Sequence, residues 1–277
     1  MVWLASYPKS GNTWLRVFLY QLLRILGGHP REDGELNRLE RASIYETRKV
    51  ALFEQLLGKP VAASSLAEVM QVRPRVQAAI SRITPGVALV KTHNLLGHVH
   101  SMPTINPEAS IGAVYIVRDP RDVASSLANH LGSSVDNAVH VLNRTGYCTE
   151  NSAEGVGEIW GSWSEHVWSW TSEPSRTLLV LRYEDMLANP MRAFTSVVRH
   201  LGLGAAPHQI REAVDLSSFA RLQGEEKRTG FAERPAQAER FFHSGKSGTW
   251  RKRLTPEQAA AIVATHKTEM TRLGYLP

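Results

Sequence analysis

A short polar loop near the N-terminus has the residue types of an anion-binding site. Lys9 supplies a mobile positive charge, and Ser10 and Thr13 supply hydroxyl donors. The apolar run before the loop, Val2–Ser6, predicts a buried strand, and the pattern after it predicts a helix over residues 13–26. Because a helix start presents unbonded backbone N–H groups and the positive end of the helix dipole, we expect an anion to bind here.

The loop differs from the Walker A pattern, G-x-x-x-x-G-K-S/T, because its lysine precedes the glycine and the leading glycine is missing. Residues 7–14, Y-P-K-S-G-N-T-W, instead resemble the 5′-phosphosulfate loop of the sulfotransferases that use 3′-phosphoadenosine 5′-phosphosulfate (PAPS), Y-P-K-S-G-x-T-W. The resemblance implies that the loop binds the donor and that its tryptophan lies against the adenine. The donor-binding residues implied are Lys9, Ser10, Gly11, Asn12, Thr13 and Trp14. The alternative interpretation is a strand, turn and helix with an exposed lysine.

A lysine–threonine–histidine sequence, residues 91–93, directly follows a second apolar run at residues 87–90. The run predicts another buried strand, and ligands of open α/β sheets gather at the carboxyl ends of strands. An imidazole placed there can take a proton from an acceptor near neutral pH. The sequence resembles the K-T-H of the same family, which implies that His93 is the general base. The resemblance also implies that Lys9 neutralises charge on the oxygen between the sulfonyl group and the departing 5′-phosphate.

A third strand is predicted at residues 111–117, and Asp119 and Pro120 after it predict the start of a helix. Arg118 at the strand end and Ser126 eight residues later resemble the family's 3′-phosphate site. A guanidinium group can bind two phosphate oxygens at once, and a serine hydroxyl adds another donor. We therefore expect both residues to bind the 3′-phosphate of the donor.

Further family motifs follow a fourth strand predicted at residues 177–182. The resemblance implies that Tyr183 of the Y-E-D-M sequence contacts the adenine, together with the serine–serine–phenylalanine sequence at residues 217–219. The residues expected to serve the adenine are Tyr183, Ser217 and Phe219.

The closing loop of the family, R-K-G-x-x-G-x-W, aligns with residues 243–250 but departs from the pattern at its first two positions. His243 and Ser244 stand where the family has arginine and lysine, while Gly245 is kept. We expect His243, Gly245 and Lys246 to serve the donor. Whether the histidine or Lys246 replaces the missing charge stays open.

Segments between the motifs carry weaker signals. Residues 132–157 are rich in glycine, serine and asparagine and predict a mobile loop. Residues 158–171 predict a helix with a stripe of tryptophans, which favours a core position over a pocket. On the first helix, Arg16, Tyr20 and Arg24 form a polar stripe that we expect to face outward or toward a partner.

Composition limits the class of protein. A chain of 277 residues, 43% of them apolar, can bury a full core. The 32 Lys and Arg residues against 26 Asp and Glu give a net charge of +6, which suits an anionic ligand or nucleic acid. No basic run alternates with aromatic residues, so we do not expect nucleic acid as a partner. Cys148 is the only cysteine, which excludes a disulfide within the chain and a cysteine-based zinc site.

The sequence therefore predicts an α/β protein, a single P-loop-like domain over residues 1–277 with a central parallel sheet flanked by helices. The resemblance implies transfer of a sulfonyl group from PAPS to a hydroxyl or amine of a small-molecule acceptor, with 3′-phosphoadenosine 5′-phosphate (PAP) as product and no metal. Without a signal peptide or a run of membrane-spanning length, we expect no membrane association and a cytoplasmic location. The alternatives are an ATP-dependent P-loop phosphotransferase and a basic polyanion or nucleic-acid binder. The acceptor, and whether the protein forms a homodimer, stay open.

Overall fold

The computed structural model of the chain describes residues 1–29, 35–234, 238, 240–242 and 245–277. The strands within these residues are β1 (Val2–Ser6), β2 (Ile44–Tyr45), β3 (Leu89–Thr92), β4 (His98–Val99), β5 (Met102–Pro103), β6 (Gly112–Val117) and β7 (Leu178–Arg182). The α-helices are α1 (Asn12–Leu26), α2 (Val50–Leu57), α3 (Leu66–Ile83), α4 (Pro120–Leu131), α5 (Val135–Asn143), α6 (Trp163–Thr171), α7 (Tyr183–Ala188), α8 (Pro190–His200), α9 (Pro207–Leu216), α10 (Phe219–Thr229) and α11 (Pro256–Arg272). None of these helices is both long enough and apolar enough to cross a membrane.

Five strands form one sheet in the order β2-β3-β1-β6-β7, and every neighbouring pair is parallel. The other two strands, β4 and β5, form a separate antiparallel pair. Parallel neighbours require crossover connections, and the helices provide them. The strand β1 lies in the middle of the sheet, where both of its faces are covered. Its uninterrupted apolar sequence is typical of such a strand.

Helices cover both faces of the sheet, because successive side chains of a strand point to opposite sides. On β1, Trp3 and Ala5 pack into a core with residues of α3, α4, α6 and α11, whereas Leu4 packs into a second core with α1, α8 and α9. The structure therefore has three layers, helices on sheet on helices. The predicted α/β fold with a central parallel sheet flanked by helices is confirmed. The predicted start of α4 is also confirmed: Asp119 accepts a hydrogen bond from the Arg121 N–H, and proline occupies the first turn.

Two predictions of secondary structure from the sequence are wrong. The segment 132–157 was expected to be a loop, yet it contains α5, whose N-cap Ser134 accepts from the Asn137 N–H. The glycine and serine content of the segment suggested a loop, but α5 has an apolar face on which Ala138 and Leu142 are fully buried. The helix predicted from residue 158 begins only at Trp163, because Ile159 and Trp160 are bonded to other segments and Gly161 has a left-handed φ of 62°.

The polar stripe of α1 does not face outward. The Arg16 side chain is fully buried, and its Nε donates to Ser43 Oγ at 2.9 Å while Nη1 pairs with Glu233 at 2.8 Å. Tyr20 packs in a third apolar cluster with Leu36 and Leu39. The side chains of this stripe thus hold segments that are distant in sequence against α1.

A buried carboxylate holds the chain near the C-terminus against α4. Asp122, 1% exposed, accepts from the Gly248 N–H at 2.6 Å, the Trp250 N–H at 2.9 Å and the Thr249 hydroxyl at 3.0 Å. Hydrogen bonds to a charged group are worth about 1.5–3 kcal/mol each, and three on one group are not additive.

We expect Asp122→Ala to lower the free energy of unfolding by about 3 kcal/mol, since it leaves two half-buried backbone N–H groups without an acceptor. Urea unfolding followed by circular dichroism measures the change. The control is Asp185→Ala, which removes an exposed carboxylate from the first turn of α7 and should change stability by less than about 0.5 kcal/mol. Equal losses in the two variants would show that Asp122 contributes nothing specific.

Candidate functional site

The carboxyl ends of four strands open into one cavity of about 860 Å³. Its wall includes Lys9 after β1, His93 after β3, Arg118 after β6 and Tyr183 after β7. Pro8 and Lys91 lie on the same wall. These strand ends meet because parallel strands carry their carboxyl ends on one edge of the sheet.

The first loop adopts a backbone that few residue types accept. Lys9 has a φ of 67° and Gly11 a φ of 110°. A Cβ atom on Gly11 would lie 2.7 Å from Tyr183 Cδ2, so only glycine fits. Asn12 fastens the loop by donating from Nδ2 to the Leu4 carbonyl at 2.8 Å. A left-handed lysine costs about 1–3 kcal/mol, and such strain clusters at functional sites.

Several buried donors around the cavity have no hydrogen-bond partner among the described residues. They are Ser10 Oγ, Trp14 Nε1, Arg118 Nε and Ser125 Oγ. Buried polar atoms are nearly always bonded, so these fit a ligand that supplies acceptors. An acceptor-rich ligand such as a phosphate or a sulfate ester has the required chemistry.

The charged side chains of the cavity also favour an anion. Burial, and then the charges of Lys91 and Arg118, lower the pKa of Lys9 to about 8. Burial likewise lowers the pKa of Lys91 to about 8, although Glu233 opposes the shift. An anion placed between these lysines would stabilise their charged forms and raise their pKa values again, so its binding is favoured.

Arg118 connects the two loops at the cavity rim. Its Nη1 donates to the Lys9 carbonyl and its Nη2 to the Lys246 carbonyl, both at 3.1 Å, and its guanidinium carbon lies 4.3 Å from the centre of the Tyr183 ring. These bonds use two of the five N–H groups of a guanidinium. The other three remain for a ligand, as far as the described residues show.

His93 is held as a neutral imidazole with one nitrogen available. Its Nδ1 lies 2.7 Å from the Ser6 carbonyl oxygen. A carbonyl can only accept, so Nδ1 carries the hydrogen and Nε2 of the neutral ring keeps a lone pair. Burial and then the charge of Lys91 hold the pKa of His93 well below its usual value, against the opposing effect of the Ser6 bond. The imidazole can therefore accept a proton at neutral pH.

His166 is hydrogen-bonded to the backbone of His93. Its Nε2 donates to the His93 carbonyl at 3.1 Å, and the Tyr115 hydroxyl donates to its Nδ1 at 2.9 Å. These bonds fix the backbone that carries the candidate base.

Most of the residues proposed from sequence lie on the cavity wall. They are Lys9, Gly11, Asn12, Thr13, Trp14, His93, Arg118, Ser126, Tyr183, Phe219 and Gly245. Ser10 belongs to the same loop as Lys9 and is fully buried. His243 and Ser244 lie outside the described residues.

Two proposed residues do not reach the cavity wall with their side chains. Ser217 is buried and its hydroxyl donates to the Val214 carbonyl at 3.1 Å, so it ends α9, and Ser218 lies on the wall instead. Lys246 is exposed, and only its carbonyl takes part, by accepting from Arg118. The motif locates this segment in the sequence, but the point at which α9 ends decides which of the two adjacent serines faces the cavity.

Sequence reasoning missed many residues of the wall, among them Ser125, Glu158 and Glu233. Ser125 neighbours Ser126, so it could have been found. Glu158 and Glu233 carry no local signal, because only the tertiary fold brings them to the cavity.

A family model described as a sulfotransferase domain matches residues 1–274, and the chain belongs to this family. Among curated relatives, rat sulfotransferase 1A1 is 26% identical over 275 residues, covering 97% of this chain and 84% of the relative. Cytosolic sulfotransferase 16 of Arabidopsis thaliana is 27% identical over 272 residues, with 93% and 72% covered.

Solved structures share the fold at low sequence identity. Retinol dehydratase, crystallised with androsterone and inactive cofactor PAP, is 20% identical with a TM-score of 0.66, covering 97% of this chain and 80% of its own. Mouse sulfotransferase SULT7A1, crystallised with PAP, is 17% identical with a TM-score of 0.59, covering 97% and 83%.

We expect the His93 imidazole to stay neutral and protonated at Nδ1 when the pH falls to about 6.5, the midpoint of an unperturbed histidine. Nitrogen-15 chemical shifts of the ring distinguish the two neutral tautomers and the cation, and the spectrum of His93→Gln identifies the signal. Protonation of Nε2 with a midpoint at or above 6.5 would contradict this geometry.

Proposed function

We propose that the protein transfers a sulfonyl group from PAPS to a hydroxyl or amine of a small-molecule acceptor and releases PAP. The observation that carries the proposal is a neutral His93 with an available Nε2 in the same cavity as cationic side chains and unpartnered donors. The PAP present in the crystals of two fold relatives supports the choice of donor. We further propose that residues 1–277 act as one sulfotransferase domain.

The loop after β1 would hold the 5′-phosphosulfate end of the donor. Lys9, the Ser10 and Thr13 hydroxyls and the first N–H groups of α1 are suited to its oxygens. Trp14 and Tyr183, whose ring centres are 6.0 Å apart, offer aromatic surface for the adenine. Arg118 and Ser126 are the candidates for the 3′-phosphate.

In the proposed reaction, the acceptor oxygen or nitrogen attacks the sulfur while the bond to the 5′-phosphate oxygen breaks. His93 Nε2 takes the proton of the attacking group, and the leaving oxygen departs on PAP. Lys9 offsets the negative charge that develops on that oxygen, and the buried setting strengthens this interaction. The proposal assigns no metal to these steps.

The two alternatives fit the site less well. An ATP-dependent phosphotransferase would use a Walker A loop, which the sequence lacks. A polyanion or nucleic-acid binder would have no use for a histidine base at the end of a buried strand. A cytoplasmic location is part of the proposal and is supported by the cytosolic sulfotransferase among the relatives.

The donor assignment is tested by calorimetric titration with PAP, AMP and ATP with magnesium. We expect PAP to bind at least tenfold more tightly than AMP, because a charge-assisted contact to the 3′-phosphate is worth about 1.5–3 kcal/mol. In Arg118→Ala the ratio of the PAP affinity to the AMP affinity should fall roughly 10- to 100-fold. Because both affinities are measured on the same variant, a loss of affinity common to the two ligands does not change this ratio. Tighter binding of ATP with magnesium than of PAP would favour the phosphotransferase instead.

The role of the base is tested by turnover. His93→Ala should lose about 10²–10⁴ in rate, the usual loss on removing a general base, while still binding PAP. Transfer is measured with PAPS and an acceptor panel as a mass gain of SO₃. The control is His98→Ala, an exposed histidine of β4 that does not line the cavity. Full turnover in His93→Ala would place the base elsewhere.

A further inference from the structure

One carboxyl group in the cavity has no role in donor binding or proton transfer. Glu158 lines the cavity and is only 6% exposed. Its Oε2 accepts from the Trp160 indole at 3.2 Å, whereas its Oε1 has no hydrogen-bond partner among the described residues. Leaving a buried acceptor unsatisfied is costly, so this oxygen calls for a donor from outside the chain.

The carboxyl group lies on the side of the cavity that holds His93. The residue after Glu158, Ile159, donates its N–H to Asn94 Oδ1 and accepts from the Leu95 N–H, both at 2.8 Å. Asn94 directly follows the candidate base. The segment that carries Glu158 is thus bonded to the end of β3, whereas Trp14, Tyr183 and Phe219 come from the elements around α1 that are assigned to the adenine.

The nearest cations do not satisfy the carboxylate. Lys91 lies 3.6 Å from the centre of the Tyr45 ring and 3.9 Å from Glu233 Oε2, and no ion pair with Glu158 forms within the described chain. Burial raises the pKa of Glu158, although Lys91, the Trp160 indole, Arg73 and the backbone N–H of His93 oppose the shift. A further donor on Oε1 would favour the carboxylate and offset its burial.

We propose that Glu158 selects acceptors that carry, beside the group to be sulfonated, a second hydrogen-bond donor, a hydroxyl or an ammonium, which binds Oε1. The proposal rests on the sulfotransferase function above and names the acceptor class of the same site. A buried acceptor that the ligand leaves unpaired penalises analogues that lack the donor. A hydrogen bond to a charged group corresponds to a preference of about 10- to 100-fold.

The test compares matched acceptors on two scaffolds. One set is 4-ethylphenol, 4-(2-hydroxyethyl)phenol and tyramine, and the other is 1-hexanol, 1,6-hexanediol and 6-amino-1-hexanol. The readout is kcat/KM for mass gain of SO₃ from PAPS. On at least one scaffold, the hydroxyl or amino member should exceed the plain member by about 10- to 100-fold.

Variants assign the preference to the carboxyl group. Glu158→Leu should abolish the preference for both donors. Glu158→Gln keeps an acceptor oxygen but removes the charge, so the preference for ammonium should fall further than that for hydroxyl. The matched control is Glu150→Gln, an exposed carboxylate of the same segment outside the cavity wall, which should keep the wild-type ratios.

Each outcome decides one of the two proposals. A preference that survives in Glu158→Leu, equal kcat/KM values within both sets, or no transfer to either scaffold by a protein that binds PAP would overturn the inference about Glu158. Failure of the wild-type protein to bind PAP would overturn the proposed function itself. PAP affinity is therefore measured for every variant.

Discussion

The hydrogen bond from His93 Nδ1 to the Ser6 carbonyl joins the two strand ends on which the site depends. β1 and β3 are parallel neighbours, so residues 87 positions apart in sequence come within 2.7 Å. The bond orients the imidazole, decides which nitrogen carries the hydrogen and leaves Nε2 for a ligand. A shift of one residue in the pairing of these strands would turn their side chains to the opposite face and remove this arrangement.

The cavity brings together cationic side chains and unbonded hydroxyl donors. Lys9 and Lys91 both have a pKa lowered to about 8 by burial, and the hydroxyls of Ser10 and Ser125 have no hydrogen-bond partner among the described residues. Glu233 balances part of this charge through Arg16 and Lys91, which hold its pKa below the usual value despite its burial. A protein that keeps buried polar groups unsatisfied at one place is adapted to a ligand with complementary chemistry.

Residues far along the chain complete this site. Arg118 joins the carbonyls of Lys9 and Lys246, and Asp122 in the next helix bonds residues 248–250. These contacts bring the second glycine-containing loop over the first. Gly245 lies so close to Phe219 that a Cβ would meet its ring at 2.4 Å, and its φ of 57° is one that glycine accepts. The two loops are therefore held together by polar bonds and by close packing.

The amino-acid sequence by itself determined the parallel α/β fold, the strand ends that form the cavity and part of its wall, because apolar strands, turn residues and short motifs are local signals. It could not show that α5 exists, since the glycine, serine and asparagine content of residues 132–157 suggested a loop although the helix has four buried apolar positions. It also could not decide between Ser217 and Ser218, whose directions depend on where α9 ends. Glu158, Glu233 and the buried Arg16 were beyond sequence reasoning for a different physical reason. A charged side chain is expected at the surface, and only the tertiary structure supplied the distant partners and the cavity that place these three inside.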